Sequence, residues 1–300
     1  MKVIFFIGKG GVGKSTSSAI FAYNLAKAGN TVLLDSIDPA HNLHDIFSTK
    51  LGVVPKNVMD GLSVMETNLD QWVKKYLQET EKEFKEVYKY QEAFNLHKYF
   101  RTLKYSPGLE EYAVLLALQD TIEKYSDRDY IIFDTPPTAL TLKFLALPSV
   151  SLLWLMELVK FRQMILDKKE IVTKIKEGKK GVEVEKDPVL NRIEDLIRVY
   201  QKLADLFADS IDTKIILVMN PDKLSLSESR DITSQLMDLK MTVPYIILNK
   251  FEGDESICKT LENDFIGTEV IRFKKNDSEI IGLDRIEEYS LSFDLNQLQD

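Results

Sequence analysis

The chain has 300 residues, 44% of them hydrophobic and 29% charged, an ordinary globular balance that suffices for one large domain or for a core with an insertion. A net charge of −8 and a pI near 5.2 give no global attraction to nucleic acid or anionic lipid, although a local basic patch is still allowed, so no nucleic-acid partner is expected. The single cysteine, Cys258, excludes an internal disulfide, a four-cysteine zinc site and an intrachain vicinal-thiol site, and a cytoplasmic location fits.

Residues 3–7 form a short apolar run, rich in β-branched and aromatic side chains, that predicts a buried strand. No signal peptide is expected, because that run passes straight into a glycine loop. Ile20, Phe21, Leu25 and Ala26 then fall at helical spacing and predict a helix over 17–28. Between strand and helix lies Gly8-Lys9-Gly10-Gly11-Val12-Gly13-Lys14-Ser15, the pattern G-x-x-x-x-G-K-[ST]. Such a loop wraps a phosphate chain in backbone N–H groups, and its glycines permit positive φ and close approach. The helix that follows adds its positive N-terminal end. In that pattern Lys14 reaches the β- and γ-phosphates and the Ser15 hydroxyl holds Mg²⁺. A phosphate loop needs only one lysine, so Lys9 calls for a separate reason.

Further strands are predicted at 31–34, 62–66, 130–133, 214–219, 244–248 and 270–273. Short apolar strands alternating with helices predict an α/β fold, a doubly wound and mainly parallel sheet. Two stretches break the alternation. Residues 68–105 are charged and helical, with Trp72, Tyr76, Phe84, Val87 and Tyr88 near helical spacing, and residues 147–208 are helical again. The division expected is a P-loop core at 1–67, 107–147 and 211–300 carrying an inserted helical subdomain at 68–106 and 148–210. Residues 174–188 join two of its helices and, charged and glycine-containing, predict a mobile solvent loop. The segment 151–166 is apolar nearly all round, which means a core helix, an oligomer contact or a greasy face for a partner. Its uncharged run at 150–156 stops at Glu157, too short to span a bilayer, so no stable membrane insertion is expected.

Two strands end in acidic and hydroxyl residues, at Asp35-Ser36-Ile37-Asp38 and at Asp134-Thr135. That end of a doubly wound sheet is where its ligand crevice lies. One carboxylate there can orient an attacking water and another can hold the water shell of a metal.

Taken together, KGGVGKST, SIDPAHNLHDIF and DTPPTALTLKFLALP resemble the arsenite-pump and tail-anchored-protein-targeting ATPases, part of the deviant Walker A class that includes nitrogenase iron protein and the septum-positioning ATPases. The likeness continues in SPGLEEY, PDKLSLSESRDI, ILNK and SEIIGLDRIEEYS, so it covers nearly the whole chain. It implies an ATP hydrolase that uses ATP and Mg²⁺ and works as a homodimer. It implies that Lys9 crosses the dimer interface to the other subunit's phosphates, where it neutralises charge that develops in phosphoryl transfer. By the same resemblance Asp38 positions or activates the water, Asn42 senses the γ-phosphate, Asp134 is the metal-side carboxylate acting through water, Thr16 contacts the α-phosphate and Asn249 reads adenine. Gly8, Gly10, Gly11, Val12 and Gly13 complete the nucleotide loop. The chain departs from the family where Ile37 replaces a threonine, where Ala139-Leu140 replace Gly-His, and where Lys274 replaces a proline beside the base loop near Phe273. His41 belongs to the switch without a metal or base role, and His44 and His97 are surface or packing residues.

Three roles compete. A targeting factor would shield a transmembrane-segment client in a groove of the helical subdomain, using the 151–166 segment with its Met156 and Met164. An ATPase energising arsenite or anion efflux would need thiols that Cys258 alone does not supply, and a membrane-protein partner. A spatial-organisation ATPase would need a basic amphipathic tail, whereas the chain ends in the acidic EEYSLSFDLNQLQD.

Overall fold

The computed structural model describes residues 1–87, 106, 108–177 and 187–290. The readings for 88–105, for most of the 174–188 loop and for the acidic end at 291–300 lie outside those residues.

Eight strands form one sheet in the order β3-β4-β2-β5-β1-β6-β7-β8. They are β1 (Lys2–Ile7), β2 (Val32–Ser36), β3 (Lys56–Met59), β4 (Leu62–Glu66), β5 (Tyr130–Asp134), β6 (Thr213–Met219), β7 (Tyr245–Phe251) and β8 (Glu269–Lys274). All pairings are parallel except that of β3 with β4. The seven strands expected are present. The eighth, β3, was not anticipated: KNVM is short, half-exposed and follows Pro55, so it carries no apolar alternation to read.

The helices among the described residues are α1 (Lys14–Lys27), α2 (Leu43–Ile46), α3 (Leu69–Val87), α4 (Leu109–Lys124), α5 (Thr138–Glu177), α6 (Pro188–Ala208), α7 (Lys223–Asp238), α8 (Glu255–Asp264) and α9 (Leu283–Ser290). The chain divides into two compact units, 1–144 with 209–300, and 145–208.

The first unit holds the sheet. Val3, Phe5, Phe6, Val32, Leu33, Leu34, Ile131, Ile132 and Phe133 have essentially no exposed surface, as expected of central strands covered on both faces. Phe5 stacks on Phe133 at 5.3 Å between ring centroids, and Phe6 meets Phe21 of α1 edge-on at 5.5 Å. α1 is buried from Ser17 to Ala26, which explains why its apolar residues lie on no single stripe. It starts three residues earlier than its apolar spacing suggests, because Gly13 (φ +94°) ends the loop there. In the same unit α3 packs on α4, with Tyr76 edge-on to Tyr112 at 4.7 Å. Cys258 of α8 is 2% exposed, and burial pushes its thiol pKa up.

In the second unit, Asp187 caps α6 by accepting from the Leu190 N–H at 2.9 Å and takes both guanidinium bonds of Arg162, at 3.0 and 2.7 Å. The Arg162 guanidinium holds the Asp187 carboxyl down at about 2. On the 151–166 segment only Leu152 and Leu155 are buried. Leu153 and Trp154 are each 68% exposed, and Met156, Leu158, Phe161, Met164 and Ile165 also face solvent. Packing into the core of the single chain therefore accounts for only one edge of this helix.

The stretch Thr138–Lys168 is one helix, long and apolar enough to cross a bilayer by length and composition, with a mean hydropathy of 1.7. Residues 140–149, with Lys143 their single charge, extend the short run at 150–156 to that length, and Pro148 does not interrupt the helix. Its beginning, however, belongs to the sheet unit: Phe144 is fully buried and the Thr141 hydroxyl donates to the Pro136 carbonyl at 2.7 Å.

Candidate functional site

A cleft of about 1350 Å³ opens at the carboxyl ends of the central strands. Gly10, Gly11, Gly13, Lys14, Ser15 and Thr16 form one wall, Asp38, His41 and Asn42 another, and Pro137 and residues 279–281 complete the rim.

The loop after β1 has the shape it has because two of its positions admit only glycine. Gly8 has φ +150°, and a Cβ there would stand 2.2 Å from the Val218 carbonyl oxygen of β6. Gly13 has φ +94°, and a Cβ there would stand 2.3 Å from the Asn249 amide nitrogen. Gly13 offers no side-chain cap to α1, so the first-turn N–H groups of a 14-residue helix are left for a ligand in the cleft. Asn249 braces the loop from behind: its Nδ2 donates to the Val12 carbonyl at 2.7 Å, and its Oδ1 accepts from the Lys250 N–H at 2.9 Å.

Lys14 is 5% exposed and its Nζ donates to the Lys9 carbonyl at 3.4 Å. Burial lowers its pKa, while Asp134, Asp38 and Glu228 oppose that shift. The Lys9 side chain leaves the loop in another direction, its Nζ lying 3.8 Å from Glu228 Oε2.

Asp134 is fully buried at the end of β5. The β2–β5 register sets it opposite Ser36, whose hydroxyl donates to its Oδ2 at 3.3 Å. Burial drives its pKa up to about 7, partly offset by Ser15 and Lys14. Its Oδ1 is buried without a hydrogen-bond partner. A buried acceptor left open beside a serine and a lysine fits a hydrated divalent cation, so the residues present suit Mg²⁺. Asp38 lies nearer the cleft surface, where its Oδ1 accepts from the Ala40 N–H at 3.0 Å. Asn42 lines the same wall at the start of α2, its side chain making no capping bond to that helix. Ile37, where the resemblance led to the expectation of a threonine, is fully buried, and its N–H donates to the Asp134 carbonyl at 3.0 Å. His41 takes φ +48° with Nδ1 buried and unpartnered. His44 stands between two acids, its Nε2 3.3 Å from Asp45 and its Nδ1 3.4 Å from Glu66. Phe273 packs inside against Tyr289 at 5.9 Å, away from the cleft wall.

Sequence reasoning missed three residues here. Asp35 is fully buried on β2 and accepts from Thr67 Oγ1 at 3.0 Å and Thr121 Oγ1 at 3.4 Å; burial raises its pKa to about 7. A lone acid inside an apolar strand, VLLDS, was the available signal. Glu66 accepts from the His44 N–H at 3.0 Å, and Glu228 meets Lys9. Both owe their place to chain crossings that no local pattern records.

Comparison with known proteins gives one family model, described as anion-transporting ATPase, over residues 1–293. The chain is 28% identical to a putative arsenical pump-driving ATPase 2 of Aquifex aeolicus, over 97% of this chain and 98% of that protein. It is 29% identical to an ATPase ASNA1 homolog of Entamoeba dispar, over 88% of this chain and 80% of that one. It is 30% identical to ATPase ARSA2 of Chlamydomonas reinhardtii, over 86% and 70%.

Proposed function

From the premise that this chain belongs to the anion-transporting ATPase family, and is thus an ATP hydrolase, we propose that it works as a Mg²⁺-dependent homodimer in the cytoplasm whose turnover opens and closes an apolar groove for transmembrane-segment clients. The observation that carries the ATP site is the loop in which only glycine fits at positions 8 and 13. The same loop carries Lys14 and Ser15 at the open end of α1, and both act on the buried Asp134 carboxylate. In this reading the N–H groups from Gly10 to Thr16 take the phosphate chain, with Thr16 at the α-phosphate. Lys14 neutralises the β- and γ-phosphates. Ser15 directly, and Asp134 through water, hold Mg²⁺, which when bound spreads the charge of the leaving phosphate. Asp38 orients the attacking water and Asn42 senses the γ-phosphate. Lys9 serves the partner's site. Asn249 reads the adenine.

The client role rests on the exposed apolar face of α5. Trp154, Phe161, Met156 and Met164 form a soft, adaptable surface of the kind that accepts varied apolar segments. A second reading, energising arsenite or anion efflux, is favoured by the name of the Aquifex relative and opposed by a lone buried thiol.

The purified protein should hydrolyse ATP only with a divalent cation, and Lys9→Ala should bind nucleotide normally while turning over at least tenfold more slowly. Equal turnover by that variant would remove the cross-subunit role. Retention of a tail-anchored helix under ATP supports the client reading, whereas hydrolysis stimulated by arsenite or antimonite, with no helix retained, supports efflux and ends it.

A further inference from the structure

Lys9 is joined to the loop at one end and held by another element at the other. Its carbonyl accepts from Lys14, while its ammonium lies 3.8 Å from Glu228 on α7. The second oxygen of Glu228 accepts from the Thr138 hydroxyl at 3.2 Å. Thr138 is the first residue of α5 and directly follows the Asp134-to-Pro137 turn of the cleft. One carboxylate thus ties the phosphate loop to the start of α5, and its charge also reaches Lys14. Both members of the Lys9–Glu228 pair keep about a third of their side-chain surface, 33% and 32%. A pair so exposed is weak and screened by salt, so it can be exchanged for a better partner.

We infer that Glu228 is a positioning residue that retains Lys9 within its own subunit until a triphosphate occupies the cleft, and then releases it to the facing subunit. The inference rests on the reading of Lys9 as a cross-subunit residue. The physical reason for release is like-charge repulsion. A triphosphate on Lys14 brings negative charge next to the Glu228 carboxylate, which weakens the retaining pair and favours a partner phosphate as the new acceptor for Lys9. Thr138 keeps Glu228 in place after Lys9 has left, so the pair can re-form once phosphate departs.

The test is Glu228→Gln, an isostere that keeps a carbonyl for Thr138 and removes the charge. The readout is specific activity against protein concentration at saturating Mg-ATP, with sedimentation velocity run alongside. The variant should reach half-maximal activity, and assemble into dimers, at about threefold lower protein concentration at 50 mM salt, and the gain should vanish near 0.5 M salt, in line with the few-fold worth of a screened surface pair. In a Lys9→Ala background Glu228→Gln should not move the concentration curve. A Glu228→Gln curve that superposes on the wild type overturns the inference, and so does a plateau rate that collapses as it does in Lys9→Ala. If Lys9→Ala slows turnover and Glu228→Gln changes nothing, only this inference fails. If Lys9→Ala itself turns over normally, the cross-subunit reading fails first.

Discussion

Gly8→Ala strikes the tightest point of the phosphate loop. Two costs add. The backbone at position 8 sits at φ +150°, a conformation that costs a residue with a Cβ about 1–3 kcal/mol. The new Cβ would also stand 2.2 Å from the Val218 carbonyl, when real Cβ contacts stay beyond 3.0 Å, a shortfall of about 0.8 Å against a main-chain atom of a central strand. Relief requires the loop or β6 to move, which by analogy with overpacked cores costs about 1–3 kcal/mol more. The sum, roughly 2–6 kcal/mol, predicts a loss of about 5–20 °C in Tm at roughly 2–4 °C per kcal/mol for a domain of this size. A loop displaced by nearly 1 Å should also lower kcat/KM for ATP by about 100-fold. Gly11→Ala is the control. Its φ is +80° but no atom lies within 4 Å of the added Cβ, so only the backbone cost of about 1–2 kcal/mol applies. Melting curves and ATP kinetics on the two variants separate strain from collision. Equal Tm and equal KM for both would refute the reasoning, because the Val218 contact would then carry no cost.

Two further predictions follow from buried polar groups. Asp35 has a folded pKa of about 7 against an ordinary 3.8, so the folded state favours its protonated form. The stability this provides is complete below about pH 4 and is lost as pH rises through 7. Asp35→Asn should therefore melt close to the wild type at about pH 4 and several degrees higher at pH 8–9, with the wild-type decline across about pH 4–7 flattened; a variant less stable at pH 9 than the wild type would contradict the burial reasoning. Asn249→Ala leaves the buried-side Val12 carbonyl without its donor and should cost about 1–2 kcal/mol in stability with a few-fold rise in KM for ATP. If the ratio of ATP to GTP preference collapses while Tm is unchanged, Asn249 reads the base rather than braces the loop.

The phosphate loop was legible because its chemistry fixes residue types at fixed spacing; Gly8 is a glycine for want of room against the β6 main chain as well as for torsion, and Gly13 chiefly for torsion. The central strands were legible because a strand covered on both faces is a plain apolar run. The edge strand β3 was not, since an exposed edge needs no apolar pattern. The continuity of α5 was hidden by Pro148, which removes one hydrogen bond, to the Phe144 carbonyl, yet is tolerated inside a long helix. Asp35 could be read only as a strand-end acid, and Glu228 could not be placed from the chain alone. The first depends on hydroxyls from β4's end and α4, the second on α7 folding back over β6 to reach Lys9 and Thr138.

The thiol of Cys258 has a practical corollary. It is the one sulfhydryl in the chain, it is 2% exposed, and burial keeps it protonated, so maleimide or spin-label reagents should find no native target in the folded protein. A cysteine introduced at Met156 or Met237, both of them solvent-facing, would then be the sole reactive handle. Distances between paired labels in two copies of the chain could be followed through the nucleotide cycle without first stripping the protein of its own cysteine.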